Sequence, residues 1–107
     1  MNNDISDENT YSKSPDYNYG GTAQKINWAL NLNLPPFQKL FLIMTCSNMG
    51  GIGAINLNKN KIAKECGIDP RVISNVFKQL IKSGAITKDS HISGEYLHIE
   101  PNFIGFR

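Results

Sequence analysis

Hydrophobic positions are absent as a pattern from the first 22 residues. These are rich in Asn, Asp, Ser and Tyr, close on Gly20-Gly21, and predict a flexible tail (1–22) ahead of a single folded domain at 23–107. Patterning starts at Ile26: Ile26, Trp28, Leu30, Leu32 and Leu34 fall on every second residue, which suits a strand and equally a short helix. On the strand reading Trp28 and Leu30 are expected to lie across the helices as a lid on the core. Pro35-Pro36 then breaks the pattern and opens a helix, since proline is tolerated in a first turn. Phe37, Leu40, Phe41, Met44 and Thr45 predict its inward face, with Gln38 and Lys39 outward. The glycines of Asn48-Met49-Gly50-Gly51 stop it, and Ile52–Leu57 reads as a short strand.

The next thirty residues are the most informative. Asn58 can cap a helix containing Lys61, Ile62, Ala63, Lys64 and Cys66 that stops at Gly67. Gly67-Ile68-Asp69 makes a tight turn. Asp69-Pro70 is a strong helix start, because the carboxylate accepts the first free N–H groups and proline supplies the helical φ. The second helix then runs to Ser83, with Gly84 just past its end. Ala85–Lys88 and Tyr96–Ile99 read as two strands joined by an Asp89–Glu95 loop containing Ser93-Gly94. Two capped helices around a short glycine turn, then a hairpin, predict an α+β fold: a small winged helix-turn-helix with a three-helix core and a C-terminal β-hairpin wing.

At about 100° per residue, Ile73, Val76, Phe77, Leu80 and Ile81 form one apolar stripe on that second helix. Arg71, Asn75, Lys78 and Lys82 fall opposite, flanked by Val72, Ser74 and Gln79. These side chains suit a major groove: Arg pairs bidentately with guanine, Asn or Gln with adenine, Lys and Ser hold phosphates, and Val72 can meet a thymine methyl. A merely solvated helix usually mixes charge signs, yet no acidic residue occurs between Pro70 and Lys88. Lys59, Lys61 and Lys64 are candidates for the DNA backbone, because the first helix of such a pair crosses it. Lys88 and His91 are the corresponding wing candidates, although the simpler reading of His91 is an ordinary loop residue. His98, between Leu97 and Ile99, is expected to face outward into solvent.

Charge sharpens this picture. The net charge of +2 conceals four acidic side chains against one lysine in residues 1–24, and seven basic against two acidic between Lys59 and Lys88. A positive segment of that kind fits a polyanion, and the acidic tail argues against a minor-groove arm. Cys46 and Cys66, each among apolar neighbours, read as two buried reduced thiols. With His91 and His98 they lack the paired spacings of a zinc site, so no metal and no cofactor is expected. No run reaches the apolar length of a membrane span, and the N-terminus lacks the basic and apolar regions of a signal peptide, so a cytoplasmic protein is expected. Gly50-Gly51-Ile52-Gly53 lacks the Lys-Ser/Thr of a phosphate loop, and no nucleophile has a recognisable base, so an enzyme is not expected.

Trp28–Leu42 (Trp-Ala-Leu-Asn-Leu-Asn-Leu-Pro-Pro-Phe-Gln-Lys-Leu-Phe-Leu) resembles the opening of winged helix-turn-helix domains in phage replication proteins of the lambda O type. Ile62–Ile86 is similar to their shared helix-turn-helix core. Tyr96–Phe106 (Tyr-Leu-His-Ile-Glu-Pro-Asn-Phe-Ile-Gly-Phe) looks like the close of small Gram-positive plasmid replication proteins, with Glu100 where that group usually has Asn. The resemblance implies a sequence-specific double-stranded DNA-binding protein of a plasmid or phage, acting in replication initiation or its control. A repressor-like transcriptional regulator and a winged-helix protein-interaction module are the alternatives. The expected partners are duplex DNA, a second copy in a homodimer, and the replication or transcription machinery. The Trp28 segment and Phe103–Phe106 are readable as dimer interface or as core.

Overall fold

Caps and prolines punctuate the chain as the patterning predicts, and the helices between them follow. The computed structural model describes residues 21–106 as four helices and a three-stranded antiparallel sheet, a small α+β fold. In chain order these are α1 (Thr22–Leu30), α2 (Pro36–Ser47), β1 (Ile55–Asn58), α3 (Lys59–Cys66), α4 (Pro70–Ser83), β2 (His91–Ser93) and β3 (Tyr96–Ile99). Asn58 Oδ1 accepts from the Lys61 N–H, and Asp69 Oδ1 accepts from the Arg71 N–H. Gly67 (φ 70°) and Gly84 (φ 92°) end α3 and α4 in the left-handed region, where a Cβ would be strained. Residues 1–20 and 107, including nearly all of the expected tail, lie outside the described residues. Thr22, assigned to that tail from the sequence, opens α1.

The Ile26–Leu34 alternation is helical in its first half, which adds a fourth helix to the expected three. α1 buries Lys25 and Ala29, one turn apart, while Leu32 is buried in the turn that follows. Trp28 packs against the core as expected, but Leu30 faces solvent and is no part of a lid. The buried lysine is the feature that hid this face. Its aliphatic stem fills the apolar position while Nζ donates to the carbonyls of Gly50 and Ile52, 2.6 Å each, and lies 5.8 Å from the Phe103 ring centroid. Lys25 thereby ties α1 to the glycine loop after α2.

α2 is rotated relative to the predicted face. Phe41, Leu42, Thr45 and Cys46 are buried, whereas Phe37 and Leu40 are 45% and 62% exposed and Gln38 and Lys39 are half-buried. An unbroken apolar run from Leu40 to Met44 offers two overlapping stripes, and only the packing against α1 and α4 selects between them. The Thr45 hydroxyl, fully buried, donates to the Phe41 carbonyl at 2.9 Å. Burial pushes the Cys46 thiol up to about 12, against the lowering influence of the Lys25 charge. Cys66 is exposed, so only one of the two thiols is buried.

The sheet has the order β1-β3-β2. Its registers place Asn56, His98 and His91 in one cross-strand row, and Leu57, Leu97 and Ile92 in the next. The first strand expected after α4 is absent: Ala85 and Ile86 are buried, and Ile86 forms only an isolated bridge with Pro101. The chain turns at Thr87, whose carbonyl accepts from Ser90 N–H, and β2 forms inside the expected loop. Gly94 (φ 63°) lets β2 and β3 close as a tight hairpin.

The C-terminal segment locks the ends of the fold together. Trp28 meets Phe103 edge-on with ring centroids 4.7 Å apart, and Trp28 Nε1–H donates to the Phe106 carbonyl at 2.9 Å. Asn102 Nδ2 donates to the Gly84 carbonyl at 3.0 Å, satisfying an acceptor at the end of α4. Trp28 and Phe103–Phe106, candidates for a dimer interface, therefore pack on one another within the chain, although Ile104 stays exposed.

Candidate functional site

α4 is amphipathic along its whole length, which separates a polar face from a buried one. Ile73, Val76, Phe77 and Leu80 are buried and Ile81 is half-buried against the core. α3 and the turn at residues 67–69 pack against α4, and Ile68 N–H donates to the Ala63 carbonyl at 2.9 Å to fix that turn. The opposite side presents Arg71, Val72, Asn75, Lys78, Gln79 and Lys82, all exposed, with Ser74 half-buried at its margin. The predicted residues are thus brought together on one free face.

Two of them are not idle in the isolated chain. Arg71, with 90% of its side chain exposed, holds Asp69 through Nη2–Oδ2 (2.7 Å), Nε–Oδ1 (3.1 Å) and Nε–Oδ2 (3.2 Å). That side-chain pairing, together with the Arg71 N–H, holds the Asp69 carboxyl down at about 2, and raises Arg71 in turn. Gln79 Oε1 accepts from Gln38 Nε2 at 2.9 Å, so α2 holds the Gln79 amide by its oxygen. Sequence reasoning had no signal for Gln38, because a contact 41 residues apart leaves no periodic trace. Among the described residues Lys78 and Lys82 have no carboxylate within ion-pair distance.

The proposed backbone contacts divide. Lys64 is exposed in the last turn of α3 and Lys88 in the turn before β2. Lys59 is half-buried, with its N–H donating to the Glu95 carbonyl. Lys61 lines a groove of about 410 Å³ with Met44, Asn48, Asn56, Asn58, Glu65 and Tyr96; no α4 residue borders it. His91 is on β2 rather than in a loop, with Nδ1 2.9 Å from the Asp89 carbonyl oxygen. His98 faces outward but is not merely solvated. Its Nδ1 lies 2.8 Å from Asn56 Oδ1 and its Nε2 2.8 Å from Glu100 Oε2, with the His91 ring centroid 5.0 Å away. It cross-links β1 to the residue after β3, a role its lone place in the sequence does not reveal.

Among the described residues no group of three or more His, Cys, Asp or Glu is arranged to hold a metal ion, and no helix is long and apolar enough to cross a membrane. Compared with protein-family models, with curated proteins and with solved structures, the chain matches none.

Proposed function

We propose that this chain is a sequence-specific duplex-DNA-binding protein of winged helix-turn-helix type. In this reading α3 and α4 form the helix-turn-helix, α4 is the recognition helix, and the β2–β3 hairpin is the wing. The observation that carries it is the free face of α4: Arg71, Asn75, Lys78 and Lys82 are all exposed on a helix that bears no acidic residue. A face of one charge sign with Arg and Asn toward its N-terminal half has groups for base edges and for phosphates on the same element. The resemblance to phage and plasmid replication proteins favours a mobile-element role, in replication initiation or its control. Control of transcription at an operator uses the same binding chemistry.

One helix reads only a few base pairs, so a homodimer on duplicated half-sites supplies the remaining specificity. With Trp28 and Phe103 engaged internally, the exposed Leu30, Phe37 and Leu40 of α1 and α2 are apolar side chains open to a partner, alongside Ile52 and Ile104.

The test is titration of the protein into mixed-sequence duplex at two salt concentrations, followed by selection of an enriched sequence. Binding should weaken steeply with salt, and Arg71→Ala and Asn75→Ala should each reduce affinity for the selected sequence by roughly 5- to 150-fold. Absence of duplex binding at low salt overturns the assignment and directs attention to protein partners of the Leu30–Leu40 surface. Repeats in the selected sequence point to an origin, a single palindrome to an operator.

A further inference from the structure

The chain carries both members of a charge pair and the length to join them. α4 presents Arg71, Lys78 and Lys82 on a face without acidic residues, and Lys64 and Lys88 are exposed on α3 and before β2. Among the described residues Lys64, Lys78, Lys82 and Lys88 have no carboxylate within ion-pair distance. The first 20 residues supply Asp4, Asp7, Glu8 and Asp16 against Lys13, and join the fold at Gly21, directly before α1. The greatest extent of the fold is 45 Å. Glu8 and Asp4 stand 13 and 17 residues before Gly21, extended spans of up to about 45 and 60 Å, so the Asp4–Glu8 cluster has the length to reach α4.

We infer that the acidic N-terminal segment docks on the basic face of α4 and competes there with DNA. The contact is intramolecular, so even a weak set of surface ion pairs meets a local concentration of about a millimolar. Its occupant is set by charge: the segment is the densest acidic stretch in the sequence, and α4, the longest of the described helices, bears cations as its only charged side chains. Binding to a polyphosphate duplex displaces the segment, so docking lowers the apparent affinity for every duplex that uses this face by the same factor, the reciprocal of the undocked fraction. The inference rests on reading α4 as the duplex-binding face, but the contact itself is measurable without DNA.

The experiment compares the full chain with a full-length variant carrying Asp4→Asn, Asp7→Asn, Glu8→Gln and Asp16→Asn. Backbone amide shifts of free protein are recorded at low and at high salt. In the native chain, signals from Arg71, Asn75, Lys78 and Lys82 should differ from those of the variant at low salt and converge with them at high salt. The variant should also bind mixed duplex about threefold more tightly at low salt, with the gain lost at high salt. Identical α4 shifts in the two chains overturn the contact. If affinity rises while those shifts stay identical, the segment acts only by long-range repulsion of DNA, and the contact is likewise overturned. If the shifts differ but neither chain binds duplex, the docked segment stands and the duplex-binding reading falls.

Discussion

Arg71 and Asp69 form a closed fork at the first turn of α4: the carboxylate that caps the helix also holds the guanidinium beside it, at 2.7 Å. The residue best suited to read guanine is therefore restrained in the free chain by its own helix cap. Asp69→Asn keeps an effective N-cap, because Asn accepts the same N–H, but removes the charge that holds Arg71. The variant should bind duplex about 3- to 10-fold more tightly, with little change in thermal stability. A parallel loss of affinity would mean that the fork presents Arg71 rather than restraining it.

The same pairing gives a pH dependence. Asp69 is held at about 2, below its ordinary value of 3.8. Both side chains stand in solvent, so the pair's contribution to folding is small; it is present above the ordinary value and is lost as pH falls through about 2. Following the Asp69 carboxyl carbon by NMR should give a midpoint well below 3.8, moving back toward it in Arg71→Ala. An unshifted midpoint in the intact chain would show that the fork is open in solution.

Lys25 should be the most sensitive charged residue for stability. Lys25→Met keeps the apolar stem but removes two donors from the Gly50 and Ile52 carbonyls. Those carbonyls can turn to water, so a loss of about 2 kcal/mol in urea unfolding is expected, and a larger one for Lys25→Ala because a cavity adds to it. Neutral behaviour of both variants would show that the loop is held without Lys25.

The two cysteines should react differently. With Cys46 pushed up to about 12 by burial and Cys66 exposed, a thiol reagent at pH 8 should label Cys66 rapidly and Cys46 only in denaturant. Above about pH 9 the unfolded chain loses the Cys46 proton while the folded chain retains it. Stability should then fall with rising pH by up to about 1.4 kcal/mol per unit, a slope that Cys46→Ala removes. Equal labelling rates would indicate that α2 opens readily.

Trp28 is the sole tryptophan and is bonded to the Phe106 carbonyl, so its fluorescence reports docking of the C-terminal segment onto α1. Its transition should coincide with loss of helix signal in a single cooperative step. Trp28→Phe should cost about 1 kcal/mol, the bond without the ring contact. An earlier fluorescence transition would identify the segment as a separately melting unit.

α3 and α4 were legible because their determinants are local. Asn58, Gly67, Asp69-Pro70 and Gly84 each act within a turn of the boundary they set, and the α4 stripe repeats often enough to have one solution. The free face carrying Arg71, Asn75, Lys78 and Lys82 follows from that stripe alone. Elsewhere the decision belonged to contacts distant in sequence. Leu40–Met44 could turn either of two faces inward until α1 and α4 packed on Leu42 and Cys46. Lys25 looks like a surface residue until the loop at Gly50–Ile52 brings it two carbonyls, and His98 looks solvated until β1 brings Asn56 beside it. Ile86 reads as a strand, yet it spends its position in the core because Pro101 and the Asn102 cap draw the chain there. Local capping and periodicity thus determined where the helices of the candidate site lie. Which groups on and around them are already engaged was decided only by tertiary structure, because hydrogen-bond partners 25 to 78 residues apart leave no mark in a local pattern.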